Sequence, residues 1–336
     1  MFRRLIAVAV APVTALALAA CGQTTTQSSA ATSAPSATCE GVTTSSGPVS
    51  LTDSYGRQLE LEKPAERVAV LEWQQTESLL SLCVNPVGVA DVEGFSTWVT
   101  AEELPEGTTD LGTRGEPNLE ALLATNPDLI VVEAYTAEDE ILKQLATYDV
   151  PVLATKGADA NDPIGTMKTT FELIAEATGR EERADEVLAE FDAKLAESKE
   201  KVAGSDAAGT EFVYFDGWID GANVVIRPFG QGAWIAELGE ELGLKNAWTG
   251  EVDPAYGLGQ TDIEGMTTVG NATFFYTGTV DPAGDVNAEL AKNEVWKSIP
   301  AVAEGRSHAF PAGIWTFGGP RSAGQVLDAY TTLLTE

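Results

Sequence analysis

This 336-residue chain holds one histidine, His308, and three cysteines, Cys21, Cys39 and Cys83. A metal site built from several imidazoles is therefore excluded, which leaves only carboxylate or cysteine versions and disfavours dedicated metal binding. The chain has no hydrolase nucleophile elbow, no phosphate-binding glycine loop and no dinucleotide glycine fingerprint, and nothing marks a nucleophile partner for His308. His308 lies in an alternating segment before Phe310 and reads as a strand residue rather than an axial haem ligand. Enzymatic chemistry and a resident cofactor are both disfavoured. The balance of 20 basic against 51 acidic side chains, net −31, repels nucleic acid and anionic headgroups alike.

The cysteines have chemistry of a different kind. Residues 1–21 carry Arg3 and Arg4 and then a short apolar run interrupted by Pro12, the pattern of a secretory signal rather than a membrane span. Leu18-Ala19-Ala20-Cys21 resembles a lipobox, in which the cysteine is acylated and becomes the first residue of a membrane-anchored mature protein. Residues 22–50 are rich in Thr, Ser, Ala and Pro and read as a tether without a core. With Cys21 taken by lipid in an oxidising location, Cys39 and Cys83 are left as an available disulfide pair.

Around these lie the elements of two α/β lobes, 51–160 and 205–336, linked by a helical segment, 161–204. Leu51 to Leu61 reads as a hairpin turning near Tyr55-Gly56, and Val68 to Leu71, Val87 to Ala90, Leu129 to Glu133 and Val152 to Ala154 read as short strands. Helices are expected at Thr76 to Leu82, Leu119 to Ala124 and Glu138 to Leu145. Strands alternating with helices imply a mainly parallel sheet covered on both faces. The pattern restarts with strands at Phe212 to Phe215, Val224 to Ile226, Phe274 to Tyr276 and Ser307 to Phe310, and helices at Ala233 to Leu242 and Ala323 to Leu334. Between the lobes, Asp162-Pro163 starts a helix that Gly179 stops, and a second, highly charged helix begins near Glu181. It contains no glycine before Gly204, so it predicts a stiff connector and little lobe closure. A weak internal repeat relates the lobes. Asn118 to Leu122 leads into Leu129 to Val132 as Asp262 to Met266 leads into Thr273 to Tyr276, each with one glutamate, Glu120 or Glu264, in the same place.

Four stretches then carry a family resemblance: Asp53-Ser54-Tyr55-Gly56-Arg57 with Pro64 to Val70; Gly112-Thr113-Arg114-Gly115-Glu116-Pro117-Asn118-Leu119-Glu120; Leu244 to Gly250; and Trp315-Thr316-Phe317-Gly318-Gly319. Together with the lipobox and tether, they make the chain similar to the helical-hinge solute-binding lipoproteins of ABC importers, which bind ferric siderophores and vitamin B12. It most resembles the ferric hydroxamate branch. The resemblance implies a ligand cleft between the lobes, with Trp98, Arg114, Tyr135, Tyr256, Trp315 and Phe317 as its binding residues and Arg114 as their one charged member. It also implies a monomer whose Glu120 and Glu264 dock onto the permease. Trp248 is expected in the core, and Arg227 and Arg321 on the surface or in lobe packing. Were both arginines to face the cleft, an anionic chelate such as ferric citrate would be favoured; haem and cobalamin remain as alternatives, as does an extracytoplasmic enzyme or adhesion module on the same fold.

Overall fold

Val68, Ala69 and Val70 are all fully buried, as a short apolar strand must be when helices cover both faces of its sheet. In the computed structural model, which describes residues 39–221, 223–279 and 285–335, this strand is the centre of a five-stranded parallel sheet. Its order is Thr109–Asp110, Gly88–Val89, Val68–Val70, Leu129–Ala134, Val152–Lys156. The expected hairpin is Val49–Thr52 paired with Gln58–Leu61. Its turn is set by Gly56 at φ +76° and by the Asp53 carboxylate, which accepts the N–H groups of Tyr55 and Arg57, each at 2.9 Å. Val49, Leu51, Leu59 and Leu61 alternate into the first lobe's core.

The second lobe repeats the plan, with Lys245–Asn246, Glu211–Asp220, Thr273–Tyr276 and Ser307–Ala309 in parallel. Sequence periodicity separates Phe212 to Phe215 from Val224 to Ile226. The structure instead runs both on into one antiparallel hairpin, Glu211–Asp220 with Asn223–Phe229. Asp216, Gly217 and Asp220 break the apolar pattern there, and the partner strand's hydrogen bonds, rather than its own sequence, hold the extension. Short helices that periodicity does not reveal are marked by their caps: Asp91 before Val92–Trp98, Asp285 before Val286–Leu290 and Asn293 before Glu294–Ser298.

The helix Pro163–Thr178 starts where Asp162 accepts the Gly165 N–H at 2.9 Å and ends at left-handed Gly179. The next helix, Glu181–Ala203, has 23 residues. At ~1.5 Å per residue it is roughly 34 Å long. Ala184, Val187 and Leu188 sit in the first lobe's core, while Phe191 and Val202 sit in the second's. One rigid rod therefore belongs to both cores. The helix Pro320–Thr335 lies along it, tied by Lys194 to Asp328 at 2.6 Å and by an Arg321–Glu190 ion pair. The tether ends earlier than residue 50. Ser45 donates its N–H to the Gly179 carbonyl at 2.8 Å, Arg180 donates to the Thr43 carbonyl, and Val49 already begins a strand.

A buried carboxylate joins the lobes. Glu77, 0% exposed on the helix Trp73–Ser81, accepts the N–H groups of Gly319 at 3.1 Å and Ser322 at 2.8 Å and the Ser322 hydroxyl at 2.6 Å. A first-lobe side chain thus caps the last helix of the second lobe, where the helix dipole favours negative charge. Burial still pushes its carboxyl above the usual range, against the pull of those three donors.

Candidate functional site in the interlobe cleft

In open parallel sheets, side chains at the carboxyl ends of the strands face a crevice. Glu72 and Trp73 come one residue beyond Val68–Val70, after Leu71, and Glu133 is near the end of Leu129–Ala134. One Glu72 oxygen accepts the Trp73 N–H at 2.7 Å, starting the helix Trp73–Ser81, and also holds the Arg114 guanidinium at 2.6 Å. Arg114 projects from the turn opened by Gly112 at φ +84° and lies 3.8 Å from the Trp73 ring centre and 5.2 Å from that of Trp315. The Trp73 indole nitrogen donates to the Ala90 and Asp91 carbonyls, both at 3.2 Å, so the aromatic plate behind Arg114 is itself fixed. An ion pair and a cation–π contact together hold the arginine in place before any ligand arrives.

The facing wall comes from the second lobe. Asp253 accepts the N–H groups of Ala255 and Tyr256 on one oxygen, at 3.0 and 2.7 Å, and that of Leu258 on the other at 2.8 Å. The loop so formed points the Tyr256 hydroxyl across the cleft, where it donates to Glu133. Tyr256 lies 5.9 Å from Tyr135 and 5.6 Å from Phe317, and Phe317 lies 5.4 Å from Trp315, ring centre to ring centre. Arg114, Tyr135, Tyr256, Trp315 and Phe317 line one cavity of about 260 Å³. Tyr135 is its open edge, 70% exposed. Trp98 lines an adjoining cavity of about 190 Å³, and Trp315 and Arg227 border both.

Several residues of this cleft escape sequence reasoning. Arg227 is neither a surface charge nor a lobe-packing one. It faces both cavities, pairs through Nε with Asp216 at 2.8 Å, and lies 5.6 Å from the ring centres of Phe229 and Phe317. Arg321 does pack as expected, against Glu190 of the long helix. Arg114 is therefore not the one charged member of the cleft, since Glu72, Glu133 and Arg227 line the same cavity. The available signal was position, just beyond or at the ends of strands, rather than any motif. Trp248 is buried in the second lobe's core.

Burial, with Glu72 nearby, pushes the Glu133 carboxyl up to about 7, opposed by its hydrogen bonds and by Arg114. The same burial and the facing Glu133 raise the Tyr256 hydroxyl far above its ordinary value. Gly157 permits the approach of this pair: a Cβ there would lie 2.1 Å from the Tyr256 oxygen and 2.2 Å from Glu133. Asp216 is raised by burial, with Arg227 pulling it back.

Away from the cleft, Glu120 and Glu264 are exposed in the first turns of Leu119–Ala124 and Ile263–Met266. Asn118 caps the first helix through the Ala121 N–H at 3.0 Å, and Asp262 caps the second through Gly265 at 2.9 Å. Cys39 and Cys83 are disulfide-bonded, their Cα atoms 5.5 Å apart. Cys21, the lipidation candidate, lies outside the described residues. Among the described residues no helix is long and apolar enough to cross a membrane, and no group of three or more His, Cys, Asp or Glu side chains is placed to hold a metal.

The chain is 28% identical over 258 residues to the iron(3+)-hydroxamate-binding protein FhuD of Escherichia coli K12, covering 76% of this chain and 83% of that protein. It is also 28% identical over 280 residues to the putative ABC transporter substrate-binding lipoprotein YhfQ of Bacillus subtilis 168, covering 80% and 82%. Its fold matches the crystal structure of the siderophore binding protein FhuD from Vibrio cholerae bound to Fe3+–Desferal, with TM-score 0.70, 24% identity and coverage of 80% and 98%. Residues 68–312, running from the central strand of the first lobe past the last strand of the second, match the periplasmic binding protein family, and the chain belongs to that family.

Proposed function

We propose that this protein is an extracytoplasmic, lipid-anchored receptor that binds a ferric siderophore of the hydroxamate type and delivers it to an ABC importer, without turning it over. The observation that carries the reading is the cleft itself. It combines a wall of Tyr135, Tyr256, Trp315 and Phe317 with one arginine held in advance by Glu72 and Trp73. A ferric trihydroxamate core is neutral and apolar at its rim, so aromatic faces with a few donors suit it better than clustered positive charge. The hydroxamate-binding FhuD of Escherichia coli and the ABC transporter lipoprotein YhfQ support the ligand class and the delivery role. Ferric citrate is the competing ligand, since Arg227 also reaches the cleft; its pairing with Asp216 cancels the added charge, and a chain of net −31 repels anions.

Trp98, Arg114, Tyr135, Tyr256, Trp315 and Phe317 are the ligand contacts in this reading, and Arg114 donates to iron-bound oxygens. Cys21 carries the lipid, the protein acts as a monomer, and exposed Glu120 and Glu264, one per lobe, meet cationic pockets of the permease. Reversing the charge at both glutamates should abolish uptake in cells while leaving ligand binding intact. The receptor reading is tested by tryptophan-fluorescence titration of the untethered protein with ferric hydroxamates, ferric citrate, a ferric catecholate, haem and cobalamin. Tightest binding of a hydroxamate is the expected result, and a clear preference for citrate or catecholate would overturn it.

A further inference from the structure

We propose that residues 313–319 gauge the spacing of the two lobes, with Thr100 as a positioning residue whose grip on Gly313 sets where Trp315 stands and so sets ligand affinity; this rests on the cleft being the ligand site, as read above. The segment is chain of the second lobe, yet the first lobe holds it at both ends. At its start, the Thr100 N–H and hydroxyl both donate to the Gly313 carbonyl, at 2.9 and 2.8 Å, and the Gln325 amide on the last helix donates to the same hydroxyl at 3.2 Å. At its end, Glu77 accepts the Gly319 N–H at 3.1 Å, and the Gln74 amide donates to the Gly318 carbonyl at 3.3 Å. The stretch is clamped across the seam.

Packing points the same way, independently of the hydrogen bonds. Trp315 sits in an apolar cluster whose other members, Trp73, Leu80, Phe95, Trp98 and Val99 among them, all come from the first lobe, with the Trp73 ring edge-on at 4.7 Å. Its neighbours in sequence turn the other way. Ile314 and Phe317 pack into the second lobe's core, Phe317 lying 5.7 Å from Phe229, ring centre to ring centre. Trp315 and Phe317 thus answer to different lobes, and their own 5.4 Å contact depends on how far apart those lobes stand. A gap of about 0.5 to 1 Å already forfeits roughly a quarter to a half of a close contact, so a small widening of the seam is enough to weaken the wall.

Gly313 faces Thr100 with no room to spare. A Cβ there would lie 2.3 Å from the Thr100 methyl carbon and no nearer than 3.3 Å to any other atom. Thr100 is β-branched and stiff, and its hydroxyl is held on both sides, so the methyl does not swing clear without breaking the tie. Gly313→Ala therefore pries the seam open. Adding Thr100→Ser deletes the obstructing methyl, keeps the hydroxyl and lets the seam close again. Gly313 has φ +81°, so the alanine strains the backbone equally in both variants, and only the difference between them belongs to the seam.

The test titrates Fe3+–Desferal into each protein by tryptophan fluorescence, with a thermal melt beside it. Thr100→Ser alone should bind as the parent does, Gly313→Ala about tenfold more weakly, the scale of one lost aromatic contact, and the double variant within about threefold of the parent. Parent-like affinity of Gly313→Ala, or a double variant as weak as Gly313→Ala, overturns the proposal. Thr100→Val keeps the shape and drops the hydroxyl without touching Gly313. It should bind roughly threefold to tenfold more weakly, the scale of one hydrogen bond, and parent-like binding overturns the proposal as well. Near-UV circular dichroism without ligand follows the Trp73–Trp315 pair directly: a signal lost in Gly313→Ala and regained in the double variant is expected, and an equal signal in all of these proteins overturns the assignment. Should the parent reject Fe3+–Desferal yet bind another iron chelate, the hydroxamate reading fails, and the same variants with that chelate decide the role of the seam.

Discussion

Gly157 offers a sharp test of how the cleft is held together. A methyl group at this position would lie 2.1 Å from the Tyr256 hydroxyl oxygen and 2.2 Å from the Glu133 carboxyl carbon and oxygen. Ordinary contact is about 3.5 Å or more, so Gly157→Ala must drive the pair away by more than about 1 Å. The backbone of Gly157 lies outside the left-handed region, so the alanine itself is not strained. Both displaced groups are the ends of side chains, so the fold should survive with a lowered melting temperature. The hydrogen bond from Tyr256 to Glu133 is lost, and the Tyr256 ring leaves its packing on Phe317 and Tyr135. A hydrogen bond to a charged group contributes about 1.5 to 3 kcal/mol, which this internal bond takes from stability, while affinity for a ferric hydroxamate should fall because the displaced ring no longer completes the aromatic wall. Fluorescence titration beside a thermal melt separates the two effects. Unchanged affinity in a folded variant would refute the claim that this cross-lobe pair shapes the ligand wall.

Arg114→Ala should weaken ferric hydroxamate binding by about tenfold to a hundredfold, since it removes charge-assisted donors from a partly dry site; a variant that binds as well as the parent would show the site misplaced. Replacing both Cys39 and Cys83 by serine opens a loop of 44 residues' separation and should lower stability by about 3 to 4 kcal/mol, read by urea unfolding. Glu77→Gln turns an amide donor toward the N–H groups of Gly319 or Ser322, and a buried mismatch of that kind costs about 1 to 3 kcal/mol. Its melt should fall and its ligand affinity with it, because the same segment carries Trp315 and Phe317. Folding raises the Glu133 carboxyl from 4.5 to about 7, so the unfolded chain ionises first and this group's contribution to stability declines as pH rises between those values. Unfolding at pH 5 and pH 7.5 should therefore differ less for Glu133→Gln than for the parent.

What the sequence made legible was what depends on local rules. Asp162, Pro163 and Gly179 mark a helix by capping chemistry alone, and the cores of both lobes follow apolar periodicity. The aromatic members of the cleft were legible through the resemblance of their motifs: one cavity gathers Tyr135, Tyr256, Trp315 and Phe317, and Trp98 lines the adjoining one. Glu72, Trp73 and Glu133 were not, because their roles come from the ends of strands meeting across the chain. Trp73 lies ahead of the helix expected from Thr76, and nothing marks it until Arg114, distant in sequence, lies over its ring. Arg227 was misjudged for a similar reason. Its strand looks short and isolated, and only pairing with Glu211–Asp220 carries Arg227 opposite Asp216 and turns both toward the cleft.

The connector bears on how such a cleft discriminates. A loop hinge lets two lobes swing, so a ligand can be judged by whether it permits closure. Here the long helix places Ala184, Val187 and Leu188 in one core and Phe191 and Val202 in the other, so rotating the lobes would shear close-packed side chains in both. Lys194 with Asp328 and Arg321 with Glu190 brace the rod against the last helix of the second lobe. Glu77 ties that helix to the first lobe. Closure would have to break a buried, charge-assisted cap as well as repack both cores, and one ligand's contacts supply little energy beyond that. On the proposed reading, discrimination then falls to fixed side chains: aromatic faces would suit many ferric hydroxamates, and the charged groups between them would decide which.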